Sequence, residues 1–272
     1  MRYNAYRGAD LPARSRLYTA TPMAGRSYKT EAVVLRSIRL GEADRVLHLY
    51  TLERGRVGAV AKGVRKTKSR FGGRLEPLSH VELVLHHGSG ELDTITGVQL
   101  LRAHDAARAD YRRLSTGLIG VEAMLRLFTE QERNERAFTA LTRFLDLLDD
   151  DPSGDGRPEL DALALSFQLK LLWLSGYLPH LTGCAECGAD DASLVGYSPR
   201  SGGAVCGGCA AGTEAIALSA AGIAGIEALL VRPLSDACAL QLSGRARRDA
   251  LRVVTASYEY HGGFRLRTLR AS

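Results

Sequence analysis

Residues 45–62 read RVLHLYTLERGRVGAVAK, and their pattern indicates the architecture of the N-terminal part of the chain. From Arg45 to Leu52 the side chains divide between two faces in steps of two, as they do in a β-strand. The turn at 53–55 (ERG) leads into a second strand-like run, Arg56–Lys62. The pattern therefore predicts a β-hairpin.

Three further segments carry the same strand signal. They are Glu31–Ile38, His80–His86 and Leu92–Leu101, and glycine-rich turns separate them from their neighbours. Five short strands within about 75 residues are most economically a closed five-stranded barrel of the OB type or an SH3-like barrel. Periodicity alone does not separate these two folds.

After His104 the spacing of apolar residues becomes helical. Ser219 and Ser243 are suitable N-caps, and Gly176 is a suitable C-cap. The sequence therefore predicts a helical bundle over roughly residues 105–270. The predicted helices are Tyr111–Phe128, Glu135–Leu148, Glu159–Ser175, 219–230 and 243–260.

Four of the five cysteines form a metal-binding pattern. Cys184-x2-Cys187 is followed, after 18 residues, by Cys206-x2-Cys209. Four thiolates at this spacing predict a closed tetrahedral site that suits structural Zn²⁺. An iron–sulfur cluster, a rubredoxin-like iron site and degenerate free cysteines are the alternatives. The intervening segment 194–203 predicts a hairpin within a small ribbon or treble-clef-like module, and Cys238 is expected to be buried as an apolar residue.

Composition places the chain among ordinary globular proteins. Of its 272 residues, 45% are hydrophobic and 24% charged, and no run approaches 18 consecutive apolar residues. Residues 1–27 lack the apolar core of a secretion signal, so we expect a cytoplasmic protein without a membrane span.

The fold class predicted is α+β multidomain, an N-terminal five-stranded OB-type barrel followed by a C-terminal helical bundle with an inserted four-cysteine zinc module. The predicted division is a basic extension (1–27), a barrel domain (28–103), a first helical part (104–180), the zinc module (181–215) and a second helical part (216–272).

The net charge of +6 is unevenly distributed. Residues 1–104 hold 18 basic and 9 acidic side chains, whereas residues 105–180 hold 9 and 13. The densest basic run begins at Lys62, and no acid interrupts it before Glu76. A solvated loop is the plain interpretation of such a run, but its position between two strands favours binding to phosphate.

The common catalytic motifs are missing from the sequence. It contains no G-x-x-x-x-G-K-[ST], no H-E-x-x-H and no G-x-S-x-G. A metal site closed by four cysteines also leaves no position for a reactive water. The sequence therefore favours a protein that is not an enzyme.

Several of these segments together resemble the RecO family of recombination mediators, in its zinc-bearing form. The resemblance extends from Lys29 to the C-terminus. It rests on EAVVLR (31–36), GEADR (41–45), AKGVRK (61–66), KSRFGGRLEP (68–77), GYLP (176–179) before the first cysteine pair and the glycine pair 202–203 before the second.

The resemblance implies an OB-fold domain, a helical domain and a zinc module. It also implies binding to single- and double-stranded DNA, annealing of complementary strands and loading of the recombinase RecA. The implied partners are RecR and the acidic C-terminal tail of single-strand-binding protein, and the implied location is the cytoplasm in association with the nucleoid. A zinc-ribbon adaptor for protein contacts, or a zinc-dependent enzyme acting on nucleic acid, is the alternative.

An OB barrel with cations along one side can follow a phosphate backbone, and binding of that kind depends on salt. Phe71 is either a base-stacking residue or a buried plug of the barrel. For Arg36 and Arg45 the alternative is an ion pair with Glu42 or Asp44. The candidate phosphate contacts are Arg36, Arg39, Arg45, Lys62, Arg65, Lys66, Lys68, Arg70 and Arg74.

Overall fold

The computed structural model describes residues 27–88, 90–150, 156–190 and 192–269. Except for Ser27, the predicted basic extension lies outside the described residues. The described residues form two compact units. The barrel unit comprises residues 27–109 and 128–149, and the helical unit comprises residues 110–127 and the chain from residue 150 onward.

Five strands form a closed barrel in the first unit. They are β1 (Ser27–Leu40), β2 (Asp44–Thr51), β3 (Gly55–Ala61), β4 (His80–His86) and β5 (Asp93–Arg102). Their order around the barrel is β1-β2-β3-β5-β4, and β4 pairs with β1 to close it. All pairings are antiparallel except that of β3 with β5. This topology is that of an OB barrel, which confirms the first of the two predicted barrel types.

The barrel interior follows from the alternation in the sequence. Leu47 and Leu49 point inward from β2 and are fully buried, and Ala59 and Val57 lie opposite them on β3. Phe71, in the connection between β3 and β4, completes this core and is 1% exposed. Burial of one such ring stabilises the fold by about 2–3 kcal/mol. The connection therefore closes the barrel instead of merely joining two strands.

Two helices belong to the barrel unit, α1 (Asp105–Ala109) and α3 (Glu135–Asp150). The Phe138 ring of α3 packs edge-on against His80 of β4. Asp146 of α3 lies 3.0 Å from Nε2 of the buried His104. The domain division predicted from the sequence ended the barrel domain at residue 103. The contacts of Phe138 with His80 and of Asp146 with His104 place α3 with the barrel as well.

The segment before α3 crosses the barrel at the turn between β2 and β3. The Phe128 ring packs edge-on against Tyr50, and the backbone N–H of Gln131 donates to the carbonyl of Arg56. A Cβ atom at Gly55 would lie 2.0 Å from the Glu132 carbonyl oxygen, and its φ is +61°. Glycine is required at position 55 for both reasons.

The helical unit is built around α4 (Ala162–Leu174), which is buried along most of its length. Around it pack α2 (Tyr111–Leu127), α6 (Ala220–Val231) and α7 (Gly244–Gly262). The two predicted N-caps are confirmed, because Ser219 accepts from the N–H of Gly222 and Ser243 from that of Ala246, whereas the C-cap of α4 is Ser175 and not the predicted Gly176. None of the helices in the described ranges is long and apolar enough to cross a lipid bilayer.

The strands of a small sheet follow α4 and precede α6 in the sequence. It contains β6 (Leu194–Ser198), β7 (Gly203–Cys206) and β8 (Ile216–Ala217), with β6 in the centre. Strands β6 and β7 form the predicted hairpin, with Ser198 opposite Gly203. The short helix α5 (Gly207–Ala210) follows β7 directly, so the second cysteine pair spans the end of a strand and the first turn of a helix.

Candidate functional site

The four predicted metal ligands come together beside the small sheet. Cys184 and Cys187 lie in the loop before β6, Cys206 ends β7, and Cys209 lies in α5. Their four sulfur atoms all lie within 4.8 Å of one another, which is a spacing suited to one tetrahedrally coordinated ion. The cluster could therefore hold a metal ion.

Backbone N–H groups favour a thiolate at Cys184. The N–H groups of Cys187 and Cys206, the latter 3.3 Å from the sulfur, lower the pKa of Cys184 to about 6. In contrast, hydrogen bonds with the thiols of Cys206 and Cys187 raise the pKa of Cys209. Four thiols this close lose all their protons only when a cation compensates the charge, which matches the donor set of a metal centre.

The fifth cysteine is not buried, so that prediction is wrong. Cys238 lies in the 3₁₀ turn Leu234–Ala239 and is exposed. The turn buries Leu234 and Ala237, which are three residues apart and therefore share a face. Cys238 follows Ala237 and is turned toward solvent.

The second candidate site is the basic loop, residues 62–74. Backbone contacts hold it beside the turn between β1 and β2. The N–H of Gly63 donates to Asp44 Oδ1 at 2.7 Å, and the N–H of Arg65 donates to the carbonyl of Ala43 at 2.9 Å. Further along, the N–H of Ser69 donates to the carbonyl of Lys66 at 2.9 Å. The loop is thus folded into successive turns against the barrel.

Most of the predicted phosphate contacts are exposed cations. The exposed basic side chains of the loop are Lys62, Arg65, Lys66, Lys68, Arg70 and Arg74. Two of them are oriented by backbone carbonyls, because Arg65 donates to Gly41 at 3.3 Å and Arg74 to Val98 at 3.1 Å. Arg36 and Arg39 are also exposed, but they lie on β1 and not on the loop.

Two of the predicted DNA-binding residues have other partners. Arg45 is half-buried and forms an ion pair with Glu76 at 3.0 Å, while Asp44 accepts from the loop backbone instead. Phe71 lies inside the barrel, so the structure favours the plug and removes it from the base-stacking candidates. Its ring instead lies under the Arg70 guanidinium, 4.8 Å from the ring centre.

The outer face of β1, β2 and β3 carries candidate residues that were not predicted from the sequence. Two rows of cross-strand neighbours lie on it, Arg36 with His48 and Gly58, and Ile38 with Val46 and Val60. Burial, then the charges of Arg36 and Arg56, lower the pKa of His48 and favour its neutral form. The alternation in residues 45–52 could have indicated this face, but not that Phe128 covers one part of it and leaves the rest open.

Together the fold and the two sites define a class of protein: an OB barrel with an exposed basic loop, joined to a helical unit that carries a four-cysteine centre. Two family models match the chain. "Recombination protein O N terminal" matches residues 23–104, and "Recombination protein O C terminal" matches residues 108–270.

Curated proteins named "DNA repair protein RecO" are similar over nearly the whole chain. The protein of Rubrobacter xylanophilus is 38% identical over 85% of this chain and 90% of its own length. That of Frankia casuarinae is 40% identical over 86% and 93%, and that of Anaeromyxobacter sp. (strain K) is 35% identical over 89% and 94%. The chain belongs to the RecO family, and this membership supports a role in DNA repair.

Proposed function

We propose that this chain is a non-catalytic, DNA-binding recombination mediator. The observation that carries the proposal is the basic loop on the OB barrel. Its six exposed cations are presented by a backbone that is tied to the barrel, and no acidic residue lies between Lys62 and Arg74. Such a surface neutralises phosphates without reading base sequence.

Neutralisation of phosphates accounts for the proposed annealing activity. Two complementary strands repel each other, and cations that bind both backbones reduce this repulsion without making or breaking a covalent bond. The same contacts serve single- and double-stranded DNA, because both expose phosphates. Arg36 and Arg39 on β1 would extend the cationic surface beyond the loop.

The partners of this proposal rest on the family relationship. They are RecR, the acidic C-terminal tail of single-strand-binding protein and, functionally, RecA. The proposal places the protein in the cytoplasm with the nucleoid.

We assign structural Zn²⁺ to the four-cysteine cluster. Zn²⁺ prefers four thiolates in a tetrahedral arrangement, and four protein ligands leave no exchangeable position for a substrate. The ion would join the loop before β6 to the end of β7, so that its binding energy is coupled to the folding of the module. A closed site of this kind argues against the zinc-dependent enzyme considered from the sequence.

A strand-annealing assay with and without single-strand-binding protein tests the proposal. We expect the chain to accelerate annealing of complementary oligonucleotides in low salt, to lose this effect as salt rises, and to retain it on strands coated with single-strand-binding protein. An annealing rate equal to that of DNA alone at low salt would refute the proposed function. A chain that binds partner proteins but no DNA would favour the zinc-ribbon adaptor.

A further inference from the structure

We propose that the helical unit carries a second DNA site, an aromatic platform that stacks the unpaired bases of single-stranded DNA. The platform consists of Tyr177, Tyr260 and His261. It rests on the proposed function, since it adds a base-binding site to a protein that binds phosphates through its barrel.

Three rings pack together where α4 and α7 end. The Tyr177 and His261 rings are nearly parallel, with 4.5 Å between their centres and 14° between their planes. Tyr260 meets His261 edge-on at 5.1 Å and 88°. Tyr177 is 38% exposed and Tyr260 is 57% exposed, so this stack is open to solvent. Burial lowers the pKa of His261, which leaves its ring uncharged at neutral pH and suited to stacking.

The barrel unit offers no comparable surface. Among its described residues every Phe and Tyr side chain is buried or half-buried. Phe71 and Tyr50 lie in the interior, and Arg54 covers the half-buried ring of Tyr28 at 4.0 Å. The exposed tyrosines of the described chain are all in the helical unit. Within the part of the chain that the structure describes, an unpaired base therefore finds exposed tyrosine rings only in the helical unit.

The two surfaces recognise different features of DNA. Exposed aromatic rings bind single strands because every unpaired base has a free face, and this binding tolerates any sequence. In a duplex the bases are already stacked and paired. The exposed Arg267 follows the platform within six residues and supplies a cation close to it in the chain, whereas Arg265 is held in an ion pair with Glu259 at 2.7 Å. The platform would therefore distinguish unpaired from paired strands, which the basic loop alone cannot do.

The test compares three probes of equal length: a mixed-sequence single strand, an abasic single strand and a duplex. We expect Tyr177→Leu and Tyr260→Leu each to weaken binding of the mixed-sequence strand about five- to tenfold, at the low end of measured base stacking. Binding of the abasic strand and of the duplex should stay within about twofold, because neither requires a free aromatic face. Tyr260→Phe should retain the wild-type affinity. Fluorescence anisotropy at low and high salt measures all of these.

Tyr111→Leu is the matched control. Tyr111 is 80% exposed in the same unit but lies outside the platform, so its loss should leave all three affinities unchanged. Thermal unfolding of each variant shows whether the helical unit is intact.

Three results would overturn the platform. One is unchanged single-strand affinity in folded variants, and another is an equal loss on all three probes. The third is loss of RecR or single-strand-binding protein binding with single-strand DNA affinity retained, which would make these rings a protein contact. A wild-type chain that binds none of the probes would instead refute the proposed function itself.

Discussion

Replacement of Lys66 and Lys68 by glutamine removes two exposed positive charges from the basic loop and adds no negative ones. If each lysine neutralises one phosphate, the slope of log affinity against log salt should fall by about 1.4 for single strands and about 1.8 for duplex DNA. If variant and wild type bind equally when extrapolated to 1 M salt, the affinity of the variant at 0.1 M salt should be lower by roughly 25-fold for single strands and roughly 60-fold for duplex DNA. The difference in DNA affinity between variant and wild type should therefore become smaller as the salt concentration rises.

Titrations by fluorescence anisotropy over a range of salt concentrations measure both slopes. The control is the double variant Lys29→Gln with Arg136→Gln, which changes the net charge of the barrel unit equally but leaves the loop intact. Lys29 is paired with Glu82 at 2.7 Å, and Arg136 lies exposed on α3. Equal slopes for wild type and the loop variant would refute the assignment. An equal decrease in the control would show that net charge, and not the loop, determines binding.

Three further predictions concern the interior and the metal centre. Phe71→Leu should lower the free energy of unfolding by about 1–2 kcal/mol in a urea titration and leave DNA affinity within twofold; a larger loss of affinity in the folded variant would restore Phe71 as a DNA contact. Burial raises the pKa of Asp146, but the hydrogen bond with His104 and the charge of Arg102 outweigh it and leave this pKa below its ordinary 3.8. The carboxylate thus contributes stability that is present above pH 3.8 and lost as the pH falls through the lowered pKa. Asp146→Asn should therefore lower the free energy of unfolding by about 1–3 kcal/mol at pH 7, and the values for variant and wild type should converge in acid. A difference in unfolding free energy that does not change with pH would contradict this. Removal of zinc with a chelator should increase hydrogen exchange in residues 184–217 and leave the barrel protected. Unchanged exchange in residues 184–217 would argue against a structural ion.

Local features of the structure could be predicted from the sequence. Strand β4 has the predicted bounds His80–His86, and Ser219 and Ser243 cap the helices that they precede. The four cysteines of the metal cluster were identified from their spacing alone. In each case the pattern arises from residues close in the chain, or from side chains with only a few possible roles.

The rest depended on contacts between distant residues. The pairing of Ala59 with Asp93 distinguishes the OB barrel from an SH3-like one, and no strand period reveals it. The position of α3 depends on Asp146 meeting His104, 42 residues away. The lack of a partner cysteine at metal-ligand spacing led to the prediction that Cys238 is buried, but it could not reveal that its short turn directs this residue toward solvent.

The interleaved order of the two units has a consequence for synthesis of the chain. The barrel unit is not complete when β5 ends at Arg102, because residues 128–149 supply the segment that covers Tyr50 and the helix that holds His104. Helix α2 is made before that segment, yet its partner α4 begins only at Ala162. In a nascent chain α2 must therefore remain without its packing partner α4 until the barrel unit has been synthesised. A fragment that ends at residue 103 would expose apolar surface that is covered in the whole chain.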